Sequence, residues 1–202
     1  MLILCSNGLS SDALISEMQK HIGKAAKAAI VVTADNEYKE NNYHIPRCAE
    51  ELSQLGLSVD IIDIDISDPH ILLQYDLVEF IGGNPFYLVD SIRKNCAQSI
   101  LKTISVEKIL IGWSAAAFVF GPTLDLVNEY SPEMNIVGLT DLSGLNLTDI
   151  EVLPHYSKFI SRFNNFEERC VKYEKAHLKT VIRLNDGDGL FVNRDKKLLI
   201  RA

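Results

Sequence analysis

Ile109-Leu110-Ile111-Gly112-Trp113-Ser114-Ala115-Ala116-Ala117 passes without a break from an apolar strand-like run into a row of small residues, with one serine at the join. Continued through Phe118-Val119-Phe120, the second part is apolar all round, and Ala115–Phe120 is therefore predicted as an interior helix. Only small neighbours such as Gly112, Ala115 and Ala116 let a backbone turn sharply enough to hold a serine out at the carboxyl edge of a sheet, the grammar of a nucleophile elbow. Helix-end amides beside it would stabilise a developing oxyanion. Serine is also a preferred helix N-cap, and the stretch alone leaves both readings open.

Working outward, short β-branched runs alternate with longer amphipathic ones, the mark of a parallel sheet covered by helices on both faces. Strands are predicted at Met1–Cys5, Ala29–Thr33, Ser58–Ile64, Leu77–Ile81, Lys108–Gly112, Ile136–Leu139, Glu151–Pro154 and Thr180–Leu184. Helices are predicted at Leu9–Ile22 behind Ser10 and Ser11, at Pro46–Leu55 ending on Gly56, at Pro85–Thr103, and at Phe163–His177. Gly187 to Ile200 reads as two short strands joined by a turn at Asn193–Lys196, a C-terminal β-hairpin closing one edge. No repeat, low-complexity tract or long linker divides residues 1–202, so one α/β domain is expected.

Composition excludes several classes of function. With 47% hydrophobic and 23% charged residues among 202, the chain can bury a core and is neither collagen-like nor disordered. Twenty basic against 27 acidic residues give a net charge of −7, which disfavours nucleic acid and anionic lipid as partners. Cys5, Cys48, Cys96 and Cys170 are far apart, without a CxxC pair, so half-buried reduced thiols of a cytoplasmic protein are expected and no metal site. Met1–Cys5 is too short for a secretory leader, and Ile109–Leu124, broken by Gly112, Gly121 and Pro122, is too short for a membrane span.

Three segments in order carry a family resemblance. Gly112-Trp113-Ser114-Ala115-Ala116-Ala117 resembles the Gly-x-Ser-Ala-Gly-Ala nucleophile motif of the peptidase E (aspartyl dipeptidase) and cyanophycinase family of serine peptidases. Phe80-Ile81-Gly82-Gly83-Asn84-Pro85-Phe86 is similar to that family's Gly-Gly-Gly-Asn-Thr-Phe, and Leu153-Pro154-His155-Tyr156 to its Asn-Pro-His-Phe. Ala116 stands for the family's second motif glycine, and Ile81 and Pro85 for a glycine and a threonine. The resemblance implies a flavodoxin-like, glutamine-amidotransferase-like doubly wound sheet with the site along its carboxyl edge. It implies Ser114 as nucleophile, His155 as general base, and an acid to fix the imidazole tautomer. Asp186, in Asn185-Asp186-Gly187-Asp188-Gly189, matches the family's Arg-Glu-Gly-Ser segment, while Glu133 aligns with another acidic position; both stay open. The amides of Gly83 and Ala115 are the expected oxyanion donors. Asn84, Arg162 and Arg169 are the candidate substrate-binding side chains, an arginine after the histidine being the family's device for a substrate carboxylate. The expected partner is a small peptide substrate, of which a dipeptide with N-terminal Asp is one choice, with no cofactor and with the chain as monomer or homodimer.

Other readings are weaker. Gly82-Gly83-Asn84-Pro85 lacks Gly-x-Gly-x-x-Gly, and Pro85 removes a donor that a phosphate loop would use. Asp60, Asp63, Asp65 and Asp68 interleave with Ile61, Ile62, Ile64 and Ile66, which suits exposed strand-end carboxylates better than a metal site. His21, His44, His70 and His177 have no partner motif. A glutaminase-type enzyme would need a cysteine where Ser114 stands, and a decayed binding module on the same fold is the alternative to an enzyme.

Overall fold

The structure is a computed structural model describing residues 1–23 and 26–202. In chain order its elements are β1 (Leu2–Cys5), α1 (Asp12–Met18), β2 (Lys27–Val31), α2 (Ile45–Gln54), β3 (Ser58–Ile62), β4 (Leu77–Phe80), α3 (Pro85–Lys94), α4 (Gln98–Glu107), β5 (Ile109–Trp113), α5 (Ala115–Phe120), α6 (Asp125–Tyr130), β6 (Glu151–Leu153), α7 (Tyr156–Arg162), α8 (Phe166–His177), β7 (Val181–Arg183), β8 (Gly189–Asn193) and β9 (Lys196–Ile200). Short 3-10 turns cover Lys39–Asn41, Pro69–Gln74 and Pro132–Met134.

Seven strands form the main sheet in the order β3-β2-β4-β5-β1-β8-β9. The first five are parallel, and the antiparallel hairpin β8–β9 is laid on the free side of β1. Strand side chains alternate between the two faces, so each strand feeds two cores. Leu2 and Leu4, Val78 and Phe80, and Leu110 join the core under α3, α4, α5 and α6. Ile3 and Cys5, Leu77, Ile111 and Trp113 join the one under α1 and α2. The expected α/β class, helices on both faces and C-terminal hairpin are all present, and α5 is buried along its whole length. Among the described residues no helix is long and apolar enough to cross a membrane.

Four expectations are corrected. Ile136–Leu139 is not a strand: the Asn135 side chain accepts from Leu139 N–H and donates to the Leu139 carbonyl, meeting the bonds that a neighbouring strand would supply. Asparagine side chains imitate the backbone in this way, and the loop they close leaves Ile136 exposed. Pro85–Thr103 is two helices, because Cys96 takes a left-handed conformation (φ 53°) after α3 and the chain restarts at Gln98. The helix expected from Phe163 starts at Phe166 and is preceded by α7, in which Tyr156, Phe159 and Ile160, with Phe163 just after it, follow the helical i, i+3, i+4, i+7 spacing. Cys5, Cys48 and Cys170 are buried outright and Cys96 is exposed, so none is half-buried. In addition, β6 and β7 pair with each other in a separate two-stranded parallel sheet.

The contact that seats α5 on β5 depends on Gly112, where a Cβ would stand 2.5 Å from ring carbons of Phe120. Phe120 in turn packs edge-on against Phe80, with ring centroids 5.4 Å apart. Gly112→Ala is expected to lower the urea unfolding free energy by about 1–3 kcal/mol, the usual cost of overpacking; an unchanged midpoint would show that the ring shifts freely.

Candidate active site

Parallel strands end together, and the loops after them meet along one edge. Asn7 follows β1, Gly82 and Gly83 follow β4, Ser114 follows β5 and His155 follows β6. All five line one open cleft of about 580 Å³. A hollow of similar size at the opposite edge, around Met1, Leu57 and Lys108, holds none of the candidate residues.

Ser114 has φ 53° and ψ −114°, a left-handed turn that costs a non-glycine residue on the order of 1–3 kcal/mol. The main chain over-determines it. Its N–H donates to the Cys5 carbonyl (3.2 Å), prolonging the β1–β5 pairing, and its own carbonyl accepts from Ala117 N–H (3.1 Å). The hydroxyl makes no bond to the helix behind it, so Ser114 is not a side-chain N-cap. Ala116, where the family motif has glycine, lies within α5 at helical dihedrals, which alanine adopts without strain.

His155 also has a left-handed backbone (φ 54°), at the start of α7. Its Nδ1 lies 2.6 Å from Asp186 Oδ1, which leaves Nε2 as the free ring nitrogen. The β6–β7 register causes this contact. Leu153 opposite Arg183 brings the two strand ends level, so the residues that follow them, 31 apart in sequence, become neighbours. Ser6, fully buried after β1, locks the pair: its hydroxyl donates to Asp186 Oδ1 (2.9 Å) and accepts from His155 N–H (2.8 Å). Lys158 forms an ion pair with Asp186 Oδ2.

Burial works against ionisation of Asp186, but Lys158, His155 and Ser6 outweigh it and hold the carboxyl below the usual aspartate range. Burial also dominates at His155 and keeps the imidazole below the ordinary histidine value, with Asp186 pulling the other way and Lys158 adding to the depression. A neutral imidazole beside an ionised carboxylate at neutral pH can accept a proton on Nε2.

Gly83 approaches the turn after β2 so closely that a Cβ would lie 2.2 Å from the Ala34 carbonyl oxygen. Glycine is required there for that reason alone. The Ala115 amide opens α5, where first-turn N–H groups have no intrahelical acceptor.

The remaining expected residues divide. Arg162 lines the cleft, its guanidinium over the Phe163 ring at 5.2 Å. Arg169 does not: it donates to the Glu129 carbonyl (2.9 Å) from α8. Asn84 lies one residue past the cleft wall with its side chain committed to structure, Oδ1 accepting from Phe86 and Tyr87 N–H as the α3 cap and Nδ2 donating to the Met134 carbonyl. Glu133 is exposed in the turn after α6, and the carboxylate on the histidine is that of Asp186. Asp63 and Asp65 bind Lys39 rather than standing free, and Asp68 caps the turn at His70.

Sequence reading missed Ser6, His44, Arg47 and Lys158. His44 meets the Trp113 ring edge-on (5.2 Å), and Arg47 stands over the same ring (5.7 Å) while bonded to Glu51 and the Asn7 carbonyl. The Arg47–Glu51 spacing of four on α2 was a visible signal, as was a serine directly after β1.

Asp186→Asn is expected to lower the His155 pKa further, because the carboxylate is the group that raises it. Histidine ring-proton NMR titration measures this, and a rise would contradict the assigned balance.

The sequence model of Peptidase family S51 matches residues 2–200. The chain is 24% identical to the uncharacterized peptidase Lmo0363 of Listeria monocytogenes, over 99% of this chain and 97% of that one. It is 27% identical to peptidase E of Shewanella baltica, over 74% of this chain and 63% of the relative. Among solved structures it superposes on a candidate peptidase E of Listeria monocytogenes with a TM-score of 0.78, at 22% identity and covering 100% and 98% of the two chains.

Proposed function

This chain belongs to peptidase family S51 and is a peptidase; from that premise we propose that it hydrolyses small peptides through an acyl-enzyme on Ser114. The observation that carries this reading is the strained Ser114 backbone sharing a cleft with an imidazole whose far nitrogen is fixed by a carboxylate. Ser114 Oγ attacks the scissile carbonyl and its proton passes to His155 Nε2. Asp186 holds the tautomer and stabilises the imidazolium, while the amides of Gly83 and Ala115 receive the oxyanion. The imidazolium then protonates the leaving amine, and water activated by the same nitrogen releases the acid.

Specificity for an N-terminal aspartate is the finer part of the proposal. Arg47 and Lys158 are already bonded to carboxylates, whereas Arg162 has no ion-pair partner among the described residues. A guanidinium of that kind at the cleft mouth suits bidentate capture of a substrate carboxylate. Asn84 and Arg169, engaged elsewhere, have no part in it.

Turnover of a dipeptide panel and labelling by a fluorophosphonate test the reading. Ser114→Ala and His155→Ala are each expected to reduce kcat/KM by about a thousandfold or more and to abolish labelling. Persistent turnover in Ser114→Ala would overturn the assignment. Arg162→Ala is expected to raise KM for Asp-X substrates by roughly tenfold, in keeping with ~1.5–3 kcal/mol for a charged hydrogen bond, and to leave Ala-X substrates unaffected. Equal losses on both would remove Arg162 from substrate selection.

A further inference from the structure

Among the described residues, the buried side-chain polar atoms without a partner are both carboxyl oxygens of Glu79, Oε2 of Glu51 and the indole Nε1 of Trp113. They gather in one place, on the α2 face of the sheet behind the cleft. Glu79 stands within β4, opposite Ile30 of β2 and Ile111 of β5, and is fully buried. Donor atoms of Glu79, Glu51 and Cys48 lie within 4.8 Å of one another. Such a trio invites a metal ion, but the Arg47 guanidinium sits on Glu51 and would repel a divalent cation. A proton fits better.

Two carboxylates facing each other in an apolar layer have no donor between them and repel; with one proton added, one becomes a donor and the other an acceptor. We propose that Glu79 and Glu51 hold a single proton between them, and that this shared proton positions the cleft floor through Arg47 and Trp113. Glu79 O–H donates to Glu51 Oε2, Trp113 Nε1–H donates to Glu79, and Arg47 neutralises the one charge that remains. All four orphaned atoms are then satisfied. Both glutamates are positioning residues: neither lines the cleft, but Arg47 and Trp113 do.

The surroundings agree. Burial pushes the Glu79 carboxyl up to about 8, the Glu51 charge adding to the rise and Arg47 and the Trp113 N–H tempering it. Burial raises Glu51 as well, against Arg47 and the backbone N–H of Leu9. The other titratable groups facing the pair are Cys5 on β1 and Cys48 on α2, both thiols pushed far up by burial and so neutral over the same range. His44, across Trp113, is held below the ordinary histidine value by burial and by Arg47, so it titrates on the acid side. Loss of the shared proton as pH rises leaves two charges behind the cleft, and Glu79 then competes with Glu51 for Arg47.

Trp113 is the one tryptophan of the sequence, so intrinsic fluorescence reads this spot directly. Titrated without substrate from about pH 6 to 9, the wild-type chain is expected to show a one-proton transition on the alkaline side. Glu79→Gln, which keeps the shape and an N–H donor, is expected to abolish it. Glu51→Gln removes the neighbouring charge and is expected to move it to lower pH. With a dipeptide substrate, wild-type KM is expected to rise at least about threefold across the transition and to stay flat in Glu79→Gln. The kinetic arm rests on the peptidase reading of the cleft; the fluorescence arm does not, so an inactive Ser114 leaves it intact. Flat wild-type fluorescence, a transition that survives Glu79→Gln, or stoichiometric zinc lost in Cys48→Ser would each overturn the proposal.

Discussion

The end of β1 is the point on which the cleft depends. Cys5 receives the Ser114 amide through its carbonyl, which fixes where β5 stops and the elbow begins. Ser6, the next residue, contacts both His155 and Asp186. Asn7 then accepts from Gly187 N–H through Oδ1 and from Arg47 through its carbonyl. Three consecutive residues thus tie together the β5 elbow, the separate β6–β7 sheet and α2. A buried strand between two partners has no freedom to move, and the rigidity is passed to everything bonded to its end.

Around that anchor the structure concentrates unfavourable features. Ser114 and His155 both hold left-handed backbones, and Gly83 lies where no side chain fits. Two glutamates and an indole N–H are buried side by side. Left-handed backbones occur elsewhere as well, at Cys96 and Leu178 among others, but among the described residues the buried side-chain polar atoms without a partner gather only here. Strain and buried polarity persist only where the surroundings over-determine them, and such places are commonly sites of function.

Charge is layered across the cleft. Behind it stand the buried Glu51 and Glu79; Arg47 lies between; His155, Lys158 and Arg162 face the opening. Arg47 and Lys158 each answer a carboxylate, so the positive character left to meet a ligand is that of Arg162 and, at low pH, the imidazoles. On the proposed mechanism an acid limb is expected from His155, whose neutral form is the one that would accept the serine proton.

The sequence by itself determined the class of fold, the interior helix and the C-terminal hairpin, because each follows from local periodicity and residue size: Ile109–Trp113 alternates into both cores, and Ala115–Phe120 has no polar face. It left Ser114 as either an elbow or a helix cap, and only the family resemblance grouped it with His155 and with Asp186 or Glu133. What it left open were matters of register and distance. Asp186 rather than Glu133 reaches the histidine because β6 and β7 pair in parallel with their ends level, a relation between segments about thirty residues apart that no local pattern records. Asn84 proved to be a helix cap and Arg169 a backbone tether for the same reason, since a side chain's partner is set by which surfaces meet. Glu79 is the clearest case: in Leu77-Val78-Glu79-Phe80 it reads as an ordinary polar position on a strand, and only the packing of α2 over β4 removes it from water and sets it against a second acid.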